Sequence, residues 1–197
     1  MSTSSQVSIK TISGTLAQCF FDDPSFTFIL GERSDKLMIL STFFELLVDD
    51  GMERGRIEIA PDEQGICLWY PADIEIFNQQ FEQRLVDLVL LTSQIAGEKS
   101  AQRLEQILQK IGDREPKQPH CEVFYIGIKP TARGKGIGKS LLQPVLDYAD
   151  TTKVGCYLIS SNSRNLSFYE RSGFRQIFPI PIDESYSMTG MWRDWRN

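Results

Sequence analysis

IGIKPTARGKGIGKSLLQPVL, residues 126–146, joins a β-branched segment to an apolar segment of helical character through a loop of alternating glycines and basic residues. Within it, RGKGIGKS (133–140) carries Gly134, Gly136 and Gly138 beside Arg133, Lys135 and Lys139. Such a loop is built to hold an anion. Glycines let backbone N–H groups approach without Cβ interference. The helix that starts at Gly138–Lys139 presents its positive dipole end, and the three basic residues add mobile charge. A plain glycine-rich turn with its basic residues in water is the alternative on these residues alone.

Two familiar phosphate motifs fail here. A nucleoside-triphosphate loop, G-x-x-x-x-G-K-[ST], fits Gly138, Lys139 and Ser140 but requires glycine where Arg133 stands. No Mg²⁺-binding aspartate closes a following apolar strand. The dinucleotide fingerprint G-x-G-x-x-G requires glycine at Lys139 or at Leu141. What is left is R-x-x-G-x-G between a strand and a helix, which suits a pyrophosphate bound without metal.

Outward from the loop, CEVFYIGI (121–128) reads as the preceding strand and VGCYLIS (154–160) as the next one. NSRNLSFYERSGF follows as a short helix closed by Gly173 in the position after its C-cap. Strand, loop, helix and strand make an α/β crossover with parallel or mixed pairing. Upstream, TLAQCFFDDPSF is helical until a turn around Asp22, Asp23 and Pro24. Lys36–Val48 is helical by its apolar spacing. GRIEIA and GICLWYP are strands joined by the loop PDEQ. A long helical stretch runs from about Asp73 to Lys110, with a break near Gly97. GDREPKQP (112–119) is an internal linker and residues 1–8 a flexible tail of one domain spanning 1–197. Asp49 and Asp50 read as a solvated helix end, and the Leu/Val stripe at 85–91 as helix core.

Composition narrows the class. The chain has 197 residues, 41% apolar and 24% charged, with a formal net charge of −5. That is globular composition on an acidic balance, which argues against nucleic-acid partners. No apolar run is long enough for a membrane span and the start MSTSSQ is not a signal peptide. A cytoplasmic location is expected. Cys19, Cys67, Cys121 and Cys156 show no C-x-x-C spacing, and His120 is the only histidine. Reduced thiols and no metal site are expected, with Cys121 and Cys156 as small buried hydrophobes.

The loop and the segment after it together resemble motifs A and B of the GNAT superfamily of acyl-CoA-dependent N-acetyltransferases. Motif A is matched by Ile128-x-Pro130 and Arg133-x-x-Gly136-x-Gly138. Motif B is matched by Asn162, Phe168–Tyr169 and Gly173–Phe174. Within the superfamily, REPKQPH, LLQPVLDYAD, CYLISSNSRNLSFYERSGF and the terminal MWR are similar to puromycin N-acetyltransferase and related small-molecule enzymes. Pro144 lies inside the cofactor helix, where relatives tolerate a proline, so a kink near Ser140 is expected rather than a break.

This resemblance implies an α/β (α+β) fold with a mixed sheet splayed between its fourth and fifth strands, here 121–128 and 154–160. Acetyl-CoA would lie in the opening, its pantetheine on the backbone of Ile126, Gly127 and Ile128. Gly127 suggests a bulge there. The pyrophosphate would rest on residues 133–139, from Arg133, Gly134, Lys135 and Gly136 through Ile137, Gly138 and Lys139, with Ser140 adjoining. Asn162, Asn165 and Tyr169 would line the far side.

The implied reaction is direct attack by a primary amine of a small molecule on acetyl-CoA in a ternary complex. It needs a neutral amine, a held oxyanion and a protonated leaving thiolate. A fourth-strand N–H can hold the oxyanion. Tyr169 matches the motif B tyrosine and is the expected general acid. Glu122 occupies the position of the glutamate base of histone-acetylating members, although puromycin-type relatives carry an aromatic residue there. His120 and a water chain are the other bases considered. Trp69 and Tyr70 are candidates, with His120, for the acceptor pocket; for the two aromatics plain core packing is the competing reading. A non-enzymatic acyl-CoA-binding module and a protein acetyltransferase remain as rivals. The helical insert at 73–112, covering any open groove, favours small molecules. A homodimer stays open.

Overall fold

A computed structural model of the chain describes residues 8–112 and 114–196. Of the expected tail, residues 1–7 lie outside the described residues, and Ser8 caps the first helix by accepting from the Thr11 N–H. Helix α1 (Ile9–Cys19) leads through a turn into α2 (Pro24–Leu30), with Asp23 as N-cap and Pro24 at the first helical position. Helix α3 (Lys36–Glu53) precedes the hairpin β1 (Arg56–Ile59) and β2 (Gly65–Tyr70), which closes over a short 3₁₀ turn at Pro61–Glu63. Helices α4 (Gln79–Ala96) and α5 (Glu98–Gly112) come next, broken at Gly97 as expected. The first of them begins six residues later than the sequence suggested. The Asn78 side chain caps it by accepting from the Phe81 N–H, and residues 71–78 run as turns past the end of β2.

Strand β3 (His120–Ile128) leads through the glycine loop into α6 (Ile137–Thr152), then β4 (Gly155–Ser160) and α7 (Leu166–Arg171). Helix α6 continues without a break through Pro144. The chain closes with the hairpin β5 (Arg175–Pro181) and β6 (Ser187–Arg193). The six strands lie in the order β1-β2-β3-β4-β6-β5, antiparallel except for the β3–β4 pair. This is the mixed α/β sheet that the motif resemblance implies.

Helices α1 to α5 pack their apolar faces on one side of the sheet, with Leu16, Phe44, Leu68 and Tyr70 fully buried there. Helices α6 and α7 cover the other, around Cys67, Val145, Cys156 and Met191. Cys121 and Cys156 are buried as expected. Two expectations give way. Asp50 is no solvated helix end: it is wholly buried, accepts hydrogen bonds from the Tyr70 hydroxyl at 2.6 Å and from Arg54, and pairs with Arg84 at 3.2 Å. Burial of the carboxylate is offset by two guanidinium groups and a phenol. In the 85–91 stripe only part is core, since Val86 and Leu90 face solvent while Leu88 is buried.

The sheet opens where it is needed. The parallel pairing of β3 with β4 ends at Val123–Leu158, so from Phe124 onward β3 has no strand partner on that side. A β-bulge accompanies the opening: Leu68 pairs with Tyr125 and Trp69 with Val123, leaving Phe124 as the extra residue. A bulge raises local twist, which turns the two strands apart. It lies three residues before Gly127, where it was expected. Gly127 pairs in regular register with Ile66. Its lack of a side chain serves close approach instead, since a Cβ there would sit 2.6 Å from Cys19 Cβ and 2.8 Å from Phe20 Cε2.

Candidate active site

The glycine loop takes the form its residues dictate. Gly134 (φ 79°) and Gly136 (φ 80°) both adopt left-handed backbone, and Gly136 is the N-cap of α6. Among the described residues, no protein group accepts from the N–H groups of 134–138. Five donors are therefore left without protein acceptors around a helix N-terminus, an arrangement able to hold an anion. Gly138 lets Phe168 and Ile128 pack against the helix start, each within 3.3 Å of where a Cβ would lie.

Together with the opened edge of β3, the loop walls a cleft of about 1050 Å³. Ile126, Gly127, Ile128, Arg133, Gly134, Gly136, Ile137, Gly138, Lys139, Asn162, Asn165 and Tyr169 all line it; Lys135 and Ser140 do not. Of the charges expected to be mobile, Arg133 is instead held in place. Its guanidinium donates to the carbonyls of Ile128 (3.3 Å) and Cys19 (3.2 Å), tying the loop to the end of α1. Arg164, Arg171, Arg193 and Arg196 also line the cleft and were not read from the sequence. Arg164 and Arg171 flank the motif B residues and could have been read from that proximity. Arg193 and Arg196 reach the cleft only because β6 ends beside α6, where Arg193 pairs with Asp150 at 2.7 Å.

A second cavity of about 140 Å³ lies across the opening, on the α1–α5 face. Leu85 and Leu88 of α4 and Leu104 and Ile107 of α5 help to wall it, together with Phe26, Phe43 and Phe124. Its lining includes Asp23 and Glu122 and contains no lysine, arginine or histidine. The two cavities share Phe20, Asp23, Ile126, Asn165 and Tyr169. They meet at the gap between β3 and β4.

Tyr169 stands at this junction. Helix α7 delivers it: Asn162 caps the turn before the helix by accepting from the Arg164 N–H, and Gly173 (φ 95°) closes it while the Phe174 N–H bonds the Tyr169 carbonyl. Phe168 and Phe174 hold the ring edge-on at 5.1 and 6.0 Å. Among the described residues no protein group bonds the Tyr169 hydroxyl, which leaves it free to donate. Burial pushes its pKa well above the ordinary phenol value, with the charges of Cys67 and Asp23 acting in the same sense, so the phenol stays protonated.

Glu122 lies on β3 with its side chain in the second cavity, 6% exposed. Its Oε2 has no hydrogen-bond partner. Burial, helped by the nearby charge of Glu115, pushes its pKa up to about 8. Glu115, His120 and Glu122 each bring one donor atom to within 4.8 Å of the others. His120 is half-buried, fixed by its Nδ1 contact with the Gln118 carbonyl at 2.7 Å and flanked by Tyr157 and Trp192.

The two remaining acceptor candidates are placed elsewhere. Trp69 is on the opposite face of the sheet, packed at a tilt against Tyr148 (5.2 Å) with its Nε1 donating to Glu58. The alternation of β2 sends it there. Tyr70 shares the cavity's face but spends its hydroxyl on Asp50 and lies behind Phe124, with ring centroids 5.5 Å apart. Asp23 was read only as part of a turn. It bridges the opening, its Oδ1 accepting from the Ser25 N–H and its Oδ2 from the Ser161 hydroxyl at 2.7 Å.

Known proteins share this architecture. A structure described as histone acetyltransferase HPA2 and related acetyltransferase, from Corynebacterium glutamicum, superposes with a TM-score of 0.71, covering 98% of this chain and 94% of that one at 23% identity. Arylalkylamine N-acetyltransferase 2 from Aedes aegypti superposes with a TM-score of 0.59 over 95% and 94% of the two chains at 13% identity. In sequence, an uncharacterized N-acetyltransferase of Schizosaccharomyces pombe is 24% identical over 173 residues, 84% of this chain and 70% of that protein. A mycothiol acetyltransferase of Beutenbergia cavernae is 30% identical over 70 residues, 34% of this chain and 23% of that protein. The profile of the acetyltransferase (GNAT) family matches residues 49–174, from the end of α3 through the glycine loop to the close of α7. The chain belongs to the GNAT acetyltransferase family.

Proposed function

We propose that this acetyltransferase moves an acetyl group from acetyl-CoA to the primary amine of a small molecule, by direct attack in a ternary complex. The observation that carries the reading is the meeting of two cavities of opposite charge character at Tyr169. The larger one offers an anion nest and several arginines, which suit the phosphates of a coenzyme. The smaller one offers carboxylates and no cation, which suits an ammonium group. Helices α4 and α5 wall the smaller cavity where a peptide-binding groove would have to run open.

The residues present fit acetyl-CoA. The N–H groups of 134–138 and Lys139 would hold its pyrophosphate, and the unpaired edge of β3 from Phe124 to Ile128 would bond its pantetheine arm. Bound there, acetyl-CoA supplies a thioester whose carbonyl carbon forms the new C–N bond as its C–S bond breaks. Glu122 takes one proton from the acceptor ammonium. At a pKa of about 8 it is a stronger base than an ordinary glutamate, matched to an amine. A β3 N–H in the opened edge stabilises the oxyanion. Tyr169 donates its hydroxyl proton to the departing sulfur and recovers one from the nitrogen. The net release is one proton, and His120 and Glu115 lie between Glu122 and solvent to pass it on.

The test is release of free CoA thiol from acetyl-CoA with and without a panel of primary amines, beside thermal shifts with acetyl-CoA, CoA and ATP–Mg²⁺. The reading expects stabilisation by both coenzyme forms, none by ATP, and amine-dependent thiol release. Coenzyme at 100 times its Kd adds about 2.7 kcal/mol to folded-state stability. Stabilisation without transfer to any amine makes this chain a binding module and ends the enzymatic reading.

A further inference from the structure

We infer that the acceptor is a compact apolar primary amine, one ring or one branched chain in size, carrying a single cationic group. This rests on the acceptor reading of the second cavity. Its volume of about 140 Å³ sets the size. An apolar cavity close to 150 Å³, lined by Leu, Ile and Phe, holds a benzene. The wall here is of that kind, with Phe26, Phe43, Leu88, Leu104, Ile107 and Phe124 enclosing the space.

The polar inventory sets the number of charged groups. Asp23 has both carboxylate oxygens occupied by Ser25 and Ser161, and the Ser160 hydroxyl donates to the Asn162 carbonyl. Among the described residues, the lining carboxylate with an unpartnered buried oxygen is Glu122. One ammonium finds a partner there. A second ammonium, as in a polyamine, would have only Asp23, which already accepts from Ser25 and Ser161 at the junction with the cleft. The several hydroxyls of an amino sugar would outnumber the few polar groups of the lining, Ser25, Tyr125, Ser160 and Asn165 among them. The aromatic residues favour a ring. Phe20, Phe26 and Phe43 pack edge-to-face, with centroids 6.0 Å apart for the first pair and 5.2 Å for the second. A guest ring would add one more such contact.

The experiment is steady-state transfer at saturating acetyl-CoA to phenethylamine, isoamylamine, tryptamine, spermidine, glucosamine and a short peptide with a free N-terminus. Phenethylamine or isoamylamine should exceed spermidine, glucosamine and the peptide by at least 100-fold in kcat/KM. Leu104→Phe, which fills the cavity, should cost phenethylamine at least tenfold. Leu104→Ala, which enlarges it, should move the preference toward tryptamine. Ile107→Val makes the same shift on a smaller scale should the larger changes impair folding. Spermidine, glucosamine or the peptide as the best acceptor overturns this inference and leaves the transfer reading standing. No amine acetylated by a protein that acetyl-CoA stabilises overturns both.

Discussion

The larger cleft and the smaller cavity lie on either side of one opening in the sheet, yet they are built in opposite ways. The cleft is mostly backbone: left-handed glycines, a helix N-terminus and a strand edge left unpaired past Val123. The cavity is mostly side chains, drawn from α2–α5, β3, β4, α7 and β6. A coenzyme shared by many enzymes can be held by groups that every residue carries. An acceptor particular to one enzyme has to be recognised by groups that differ from one residue to the next. Tyr169 belongs to both cavities, and changes at the junction should therefore have the largest consequences.

Tyr169→Phe is expected to lower turnover by about 10²- to 10⁴-fold while leaving the thermal shift with acetyl-CoA intact. Equal turnover in the variant would make the residue a packing element and separate the two cavities chemically. Glu122→Gln should lower turnover by about 10²-fold at pH 9 and abolish the limb of the kcat/KM profile that rises toward pH 8. Its effect on stability runs the other way. In the unfolded chain Glu122 ionises near 4.5, and in the folded protein near 8. Below 4.5 both states are neutral; as pH rises from there to 8, ionisation favours the unfolded chain and stability is lost. Groups facing this carboxyl include Glu115, His120, Tyr70 and Tyr157. Denaturant unfolding at pH 8.5 should find the Gln variant more stable by something on the order of a few kcal/mol, and nearly level with the parent at pH 5.

On the cofactor side the expected effects are smaller. Gly127→Ala places a Cβ 2.6 Å from Cys19 Cβ, a backbone-anchored atom that cannot swing away. It should cost about 1–3 kcal/mol of stability and weaken acetyl-CoA through the displaced end of α1. Gly136→Ala meets nothing within 4 Å, so its penalty is the left-handed backbone alone, about 1–2 kcal/mol. The free variant relieves this strain by relaxing its loop, and re-forming the nest on binding then costs that amount. Calorimetry should therefore show roughly tenfold weaker acetyl-CoA binding, with the KM for amine unchanged. A raised amine KM would mean that the two cavities are coupled beyond Tyr169.

The uneven legibility of the molecule follows the same division. The strand, glycine loop and α6 are contiguous, and their hydrogen-bonding is local, so residues 121–150 could be read directly. The break at Gly97 and the closure of α7 at Gly173 are likewise local backbone events. The C-terminal hairpin went unread because Pro179 and Pro181 obscure β5, which tolerates them as an edge strand. The bulge was placed at Gly127 because glycine marks both bulges and close approaches; pairing with β2, distant in sequence, put it at Phe124. Asp50 looked like a helix-end charge because Arg84 and Tyr70, which bury it, arrive from α4 and β2.

By itself the sequence determined the strand, glycine loop and helix of the crossover, with the loop readable as an anion nest or as a plain turn. Those depend on backbone conformation and short-range spacing, which neighbours in the chain impose, whereas Tyr169 and Glu122 were singled out by the motif resemblance. Only the tertiary structure decided that Trp69 faces away and that Arg193 and Arg196 come to the cleft. It also made the smaller cavity a largely apolar chamber in which the Glu122 carboxyl lacks a partner. Each of these depends on which distant elements pack together, and burial, not residue type, then decides what a side chain can do.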